Sequence, residues 1–287
     1  MVARYGSDPP SMRQSAEICT VGRTLVSMRA GQLSKALSFH VRNRRRRRTT
    51  SAGRHHPLGR RRASPLITIV LAEEQQLIRS GVRCLLEAVR DFKVVGETAD
   101  GLQVVRLVQR LRPRVLVIAV GMPGLNGIEV ARQVRQHCPG TAVVMLSMYS
   151  REQYVIQALR NGAVGYVLKR ARPPQLVRAI RLAVAGHRYL SEPFSERSIG
   201  TWLRRAQSGV RDVYDTLTDR EREVLQLVAE GHSSSGIAAR LGISRRTVEA
   251  HRASIMRKMG FGNLVDVILF AINRGILARP LFELPQL

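Results

Sequence analysis

Between Leu66 and Leu190 one pattern repeats five times: a short apolar run rich in β-branched residues, a turn, then an amphipathic segment. The stretch "VLVIAVGMPGLNGIEV" (115–130) is its clearest copy. Fully apolar strands alternating with helices predict a doubly wound, five-stranded parallel sheet covered on both faces. The predicted strands are "LITIVLA", "KVVGET", "VLVIAV", "TAVVMLSM" and "GYVLK". The first helix, "QLIRSGVRCLLEAV" (76–89), is expected to turn Leu77, Val82, Leu85, Leu86 and Val89 inward. Pro113 and Gly162 supply helix stops farther along. In such folds ligands and reactive side chains gather at the carboxyl ends of the strands. The third strand, however, ends in Ala119-Val120, side chains with no chemistry.

Charge divides the rest of the chain. The net charge is +26, and residues 1–65 hold 15 Lys and Arg against 2 acids, much of it in "RNRRRRRTTSAGRHHPLGRRRASP". Like charges in a block repel and bury nothing, so an Arg-rich disordered arm is expected over 1–65. Such an arm is either a solvated tail or a grip on DNA phosphates. Residues 191–213 read as a polar linker in which Trp202 packs a short helix. No apolar run is long enough for a membrane span, and Cys19, Cys84 and Cys138 lack metal-ligand spacing. A cytoplasmic protein without metal or cofactor is expected, and no constellation of an independent hydrolase, transferase or redox enzyme is present. The glycines of "GMPGLNG" (121–127) lack the register of a dinucleotide-binding loop.

From Asp212 the pattern is helical. Thr218-x-x-Glu221 forms a capping box ahead of Val224, Leu225, Leu227 and Val228, and Gly231 ends that helix. In "SSSGIAARLGISRRTVEAHRASIMRKMG", small Ala238 permits a close crossing, Gly242 makes the turn, Ser244 caps the next helix and Val248 packs back. This is helix-turn-helix spacing, whose second helix enters the major groove of double-stranded DNA. At about 100° per residue, Val248, Ile255 and Met259 share the buried side. Arg246, Glu249, Ala250, Ala253 and Arg257 then face outward. Glu249 can accept from a cytosine amino group and Ala250 can touch a thymine methyl. Arg246 can reach a guanine edge or a phosphate, while Arg245, Arg252 and Arg257 are assigned to phosphates. Ser244 and Thr247 complete the DNA-facing set at the helix start, and His251 reads as a packed structural residue.

With these motifs in view, residues 214–278 resemble the LuxR-type DNA-binding domain, carried by "LTDREREVLQLVAEG" and "GISRRTVEAHRASIMRKMG". Ser235-Gly236 departs from it, standing where that family has a charged pair. Residues 66–190 resemble the flavodoxin-like receiver domain of NarL/FixJ-type response regulators, which implies a two-component transcription factor. The resemblance places an acidic pair at Glu73-Glu74, the phosphate-accepting aspartate at Ala119, a Ser/Thr at Ser147, a switch aromatic at Tyr166 and a lysine at Lys169. Because alanine cannot attack phosphorus, the receiver is expected to be degenerate, and regulation to be independent of phosphorylation. Two carboxylates one methylene longer than the family's pair, with the third missing, should hold magnesium poorly. The resemblance further implies a homodimer through the last helix, Leu264 to Ile276, and input from a partner protein or small molecule. An adaptor that titrates another regulator, or a phosphorelay member using Ser147 or Glu74, are the alternatives.

Overall fold

The computed structural model describes residues 66–194, 200 and 213–277, so the predicted arm, most of the linker and Trp202 lie outside the described residues. Six parallel strands form one sheet: β1 (Ile67–Ala72), β2 (Phe92–Thr98), β3 (Val115–Ala119), β4 (Ala142–Ser147), β5 (Ala163–Leu168) and β6 (Tyr189–Leu190). Their spatial order is β2-β1-β3-β4-β5-β6, with every neighbouring pair parallel. The sixth strand exceeds the five expected. It is a two-residue edge segment, Tyr189 and Leu190 pairing Gly165 and Tyr166, too short to show a period.

Strand alternation sorts the core into two layers. Ile67, Ile69, Leu71, Val115 and Val117 join one cluster with helices α1 (Gln76–Glu87) and α5 (Pro173–Val184). Val70, Ala72, Leu116 and Ile118 join the opposite one with α2 (Gly101–Leu111), α3 (Gly127–His137) and α4 (Glu152–Arg160). Both faces are therefore covered, as continuous apolar strands require. One inward assignment fails: Leu77 is 81% exposed whereas Leu86 is fully buried. Nine residues at about 100° each bring Leu77 half a turn round from Leu86, so hydrophobicity alone misplaced it.

The remaining helices are α6 (Asp219–Ala229), α7 (Ser234–Leu241), α8 (Arg245–Met259) and α9 (Leu264–Arg274), preceded by a 3₁₀ turn at Val213–Thr216. They enclose a core containing Val224, Leu225, Leu227, Ile237, Val248, Ile255 and Val267. The capping box forms as read. Glu221 accepts from the Thr218 backbone N–H at 2.8 Å, and Thr218 Oγ1 accepts from the Glu221 N–H at 3.2 Å. Gly242 turns the chain between α7 and α8 at φ +64°, a left-handed conformation that favours glycine.

Candidate functional site

Two constellations stand out, one at the carboxyl end of the sheet and one on α8. Strand order reverses between β1 and β3, so the ends of those strands border the crevice where such sheets place their sites. Glu73 follows β1 and is fully buried. Lys169, just beyond β5, sits against its carboxylate, with Nζ 2.9 Å from Oε1 and 2.8 Å from Oε2. The hydrogen bond proper is made to Oε1, and the Oε2 contact is ionic without good direction. Glu74 instead faces solvent, and partial burial together with the Glu73 charge raises its carboxyl above the usual range.

Ala119 closes β3 at 1% exposure. A methyl added at Gly127 would stand 2.0 Å from the Ala119 carbonyl oxygen, so α3 begins pressed against the strand end. Ser147 ends β4, and its Oγ accepts from the Tyr149 N–H at 3.0 Å. The hydroxyl of fully buried Tyr166 lies 2.8 Å from Ser147 Oγ and 3.0 Å from the Tyr149 carbonyl oxygen. Burial pushes that hydroxyl above the usual phenol range. Phe194 meets the Tyr166 ring edge-on at 5.8 Å. The structure thus brings Glu73, Lys169, Ser147 and Tyr166 to one end of the sheet, with hydrogen bonds inside the chain to each of them and only an ionic contact at Glu73 Oε2.

These donors do not fit a divalent cation. Glu73 is engaged by an ammonium, Ala119 offers no oxygen beyond its backbone, and magnesium demands near-octahedral oxygen ligation at short distance.

Helix α8 has the opposite character. Its start is capped by Ser244, whose Oγ accepts from the Thr247 N–H at 3.1 Å. Val248 and Ile255 are buried, with Met259 half-buried beside them. Arg245, Arg246, Thr247, Glu249, Ala250, Ala253 and Arg257 are exposed. Arg245 and Glu249 approach only to 3.9 Å. Arg252 differs from the other arginines: it is half-buried and donates to Ser234 Oγ at 3.1 Å on α7. His251 is half-buried on the flank.

Sequence reasoning missed the residues that join these regions. Gln226 on α6 accepts from the Asn126 N–H at 2.6 Å and donates to the Met122 carbonyl at 2.9 Å. Glu230 accepts from the Gly124 N–H at 2.9 Å. The loop after β3 is thereby read through its backbone by Gln226 of α6 and by Glu230, which caps that helix. Arg222, 6% exposed, donates to Glu129 of α3 at 2.8 Å and lies 4.5 Å over the Tyr214 ring. Arg132 bridges Glu129 and Asp219. Arg222, Gln226 and Glu230 recur every four residues, a spacing that reads in sequence as a solvated stripe. Only contact with a distant loop reveals them as an interface. On its other side α6 holds the α8 helix, where Glu221 accepts from Lys258 and Ser254, each at 2.7 Å. Burial opposes ionisation of Glu221, but Lys258 and the Thr218 and Ser254 bonds outweigh it and lower its pKa to about 2.

Comparison with known proteins adds to this geometry. Residues 69–181 match the response regulator receiver domain, and residues 215–271 match the bacterial regulatory proteins of the luxR family. The uncharacterised transcriptional regulatory protein YxjL of Bacillus subtilis (strain 168) is 35% identical over 211 residues, 73% of this chain and 97% of that protein. The oxygen regulatory protein NreC of Staphylococcus aureus (strain JH9) is 32% identical over 213 residues, 73% of this chain and 98% of that protein. Among solved structures, a LuxR-family two-component response regulator from Aurantimonas sp. SI85-9A1 is 29% identical, covering 50% of this chain and 99% of that one, with a TM-score of 0.44.

Proposed function

The chain belongs to the response regulators that join a receiver to a LuxR-family DNA-binding domain, and from that premise we propose that it regulates transcription without an aspartyl phosphate. The observation that carries this reading is the strand end itself. Ala119 supplies no nucleophile, and the Glu73–Lys169 pair fills its surroundings with an internal counter-charge. Ser147 is hydrogen-bonded to the Tyr149 backbone and to Tyr166, so its hydroxyl is a poor substitute acceptor. The receiver-like body over 66–190 acts instead as a platform for the helix-turn-helix over 214–278. The loop at 121–127 passes its position to α6, and α6 passes it to α8 through Glu221.

DNA reading is assigned to the exposed α8 side chains. Glu249, Ala250 and Arg246 face base edges; Ser244, Arg245, Thr247, Ala253 and Arg257 line the approach to the phosphates. Arg252 must leave Ser234 to reach a phosphate. A homodimer through α9 is supported by Leu264, Val265 and Leu269, which are 47%, 59% and 53% exposed. Two copies would present two recognition helices to half-sites.

The test is selection of binding sites from random duplexes by the full chain, with and without a small-molecule phosphodonor and magnesium, alongside intact-mass measurement. One enriched motif, unchanged by the donor, with no added phosphoryl mass, is the expected result. A phosphoryl mass accompanied by tighter DNA binding would overturn phosphorylation independence. Absence of any enriched motif would overturn sequence-specific binding.

A further inference from the structure

Arg114 precedes β3, whereas the loop held by Gln226 and Glu230 follows it, so the two lie at opposite ends of one strand. At the amino end, the turn from α2 into β3 and the turn from α3 into β4 flank a cleft of about 370 Å³. Gln109, Arg112, His137, Cys138, Gly140 and Thr141 line it, and no large apolar side chain stands in its walls. The two turns are fastened together. Thr141 Oγ1 donates to the Pro113 carbonyl at 2.8 Å, and the Ala142 N–H donates to the Arg114 carbonyl at 3.0 Å. The Arg114 N–H donates to Thr68 Oγ1 of β1 at 3.1 Å, so the cleft is preformed. Arg112 and Arg114 are exposed, and Arg106 and Arg110 extend the row along the solvent face of α2, four residues apart. Among the described residues, none of these four arginines lies within ion-pair distance of a carboxylate. Between Gly101 and Arg151 the chain has a single acid, Glu129, and Arg132 and Arg222 already hold it.

We propose that the Arg112–Arg114 turn and its cleft form a second, sequence-independent surface for the phosphate backbone of nucleic acid. Charge and lining together select this occupant. Phosphate oxygens accept from exposed guanidinium groups, and release of their counterions supplies the driving force. The walls offer no large apolar side chain, so an amphipathic helix or a lipid chain has nothing to bury there. A second copy would bring the same unpaired arginines against themselves, and like charges at a contact oppose pairing. Residues 1–65, with 15 Lys and Arg against 2 acids, are repelled in the same way. Because α6 meets the opposite end of β3, the phosphates held here belong to a different stretch of duplex from the one α8 reads. One molecule then holds two segments of DNA. The inference rests on the DNA-binding reading only in its choice of ligand, and it does not depend on how α8 docks.

The experiment uses the full-length protein and a duplex of random sequence. Cys138, in the cleft wall, is alkylated with iodoacetamide and read peptide by peptide, with Cys84 on α1 as the reference. Mildly alkaline buffer is used because burial pushes the Cys138 thiol up. Bound duplex should slow labelling of Cys138 and leave Cys84 unchanged. Arg112 caps α2 at φ +43°, a left-handed conformation that asparagine tolerates. The test variant is therefore R112N combined with R114A, its fold checked by circular dichroism. It should lose the protection and reduce the salt slope of non-specific binding by about two, while the motif selected from random duplexes stays the same. R106A with R110A, on the exposed helix face, should lower the slope in the same sense. R246A, on α8, should keep the protection whatever it does to motif selection, which separates this surface from the reading of α8. No protection of Cys138 in the natural protein would overturn the proposal, as would an unchanged salt slope in both double variants. Equal protection by polyglutamate would make an acidic protein the occupant, and equal protection by inorganic phosphate a small anion; either result overturns it. So would protection that disappears in R246A, since one duplex on α8 would then cover both ends.

Discussion

The carboxyl end of the sheet and the outer face of α8 carry similar residue types in opposite states. At the sheet end Glu73 and Lys169 pair with each other at 2.8 Å, and Ser147 and Tyr166 share a hydrogen bond, all at low exposure. On α8, Arg246, Glu249 and Arg257 stand in solvent. Polar groups already satisfied in a dry site gain little from a new ligand, whereas solvated ones exchange water for one at small cost. Residue identity alone does not separate a binding site from a structural one. What separates them is whether the chain has already supplied the partner.

The sharpest way to break this contrast is to remove a partner from each region. Lys169→Ala leaves the fully buried Glu73 carboxylate without its ammonium, and should cost about 3–5 kcal/mol in urea unfolding. Arg246→Ala on α8 should change stability by no more than about 0.5 kcal/mol. Equal costs would erase the distinction.

Glu221 lies between the two regions, and its titration tests the link. Its folded pKa, about 2, lies below its ordinary value of 4.5, so the unfolded chain binds the proton more tightly. The stabilisation is complete well above pH 4.5 and drains away as pH falls toward 2, in all about 3 kcal/mol. Glu221→Gln should flatten that part of the pH–stability curve and loosen α8, measurable as faster amide exchange along the helix. A variant with the natural acid limb would remove Glu221 from this role.

Restoring an acid sharpens the comparison from the other side. Ala119→Asp puts another carboxylate near Glu73 and should lower stability by about 1–3 kcal/mol without metal. Magnesium should recover part of that loss, while the natural protein's melting temperature stays unchanged in millimolar magnesium. A natural protein that melts several degrees higher with magnesium would mean that the strand end still takes a ligand.

The exposed helix is tested on DNA. Glu249→Ala should relax base choice at one position per half-site by about 1–3 kcal/mol. Arg257→Ala should weaken binding alike on all sequences and reduce the salt slope by about one. An unchanged site preference in Glu249→Ala would mean that α8 docks in another orientation.

Much of this architecture is legible in the sequence because its signals are local. Apolar runs of strand length alternating with helical stripes specify the sheet. Thr218 with Glu221, and Gly242 with Ser244, mark helix starts and a turn through hydrogen bonds spanning a few residues. That an alanine ends β3 is equally plain, and the resemblance to receivers is what marks it as a missing acid. Leu77 shows the limit: its hydrophobicity suggested the core, and helix phase put it in solvent. The Glu73–Lys169 pair joins residues 96 apart, and Gln226 meets Met122 across 104. The resemblance already put Lys169 beside the acidic pair without choosing between Glu73 and Glu74, whereas nothing in the sequence marks Gln226 as the partner of Met122. Folding had to bring separate strand ends together before Lys169 could neutralise Glu73, and α6 had to meet the loop after β3 before its polar stripe became an interface. Periodicity is written residue by residue, whereas the satisfaction of a buried charge depends on what the fold places beside it.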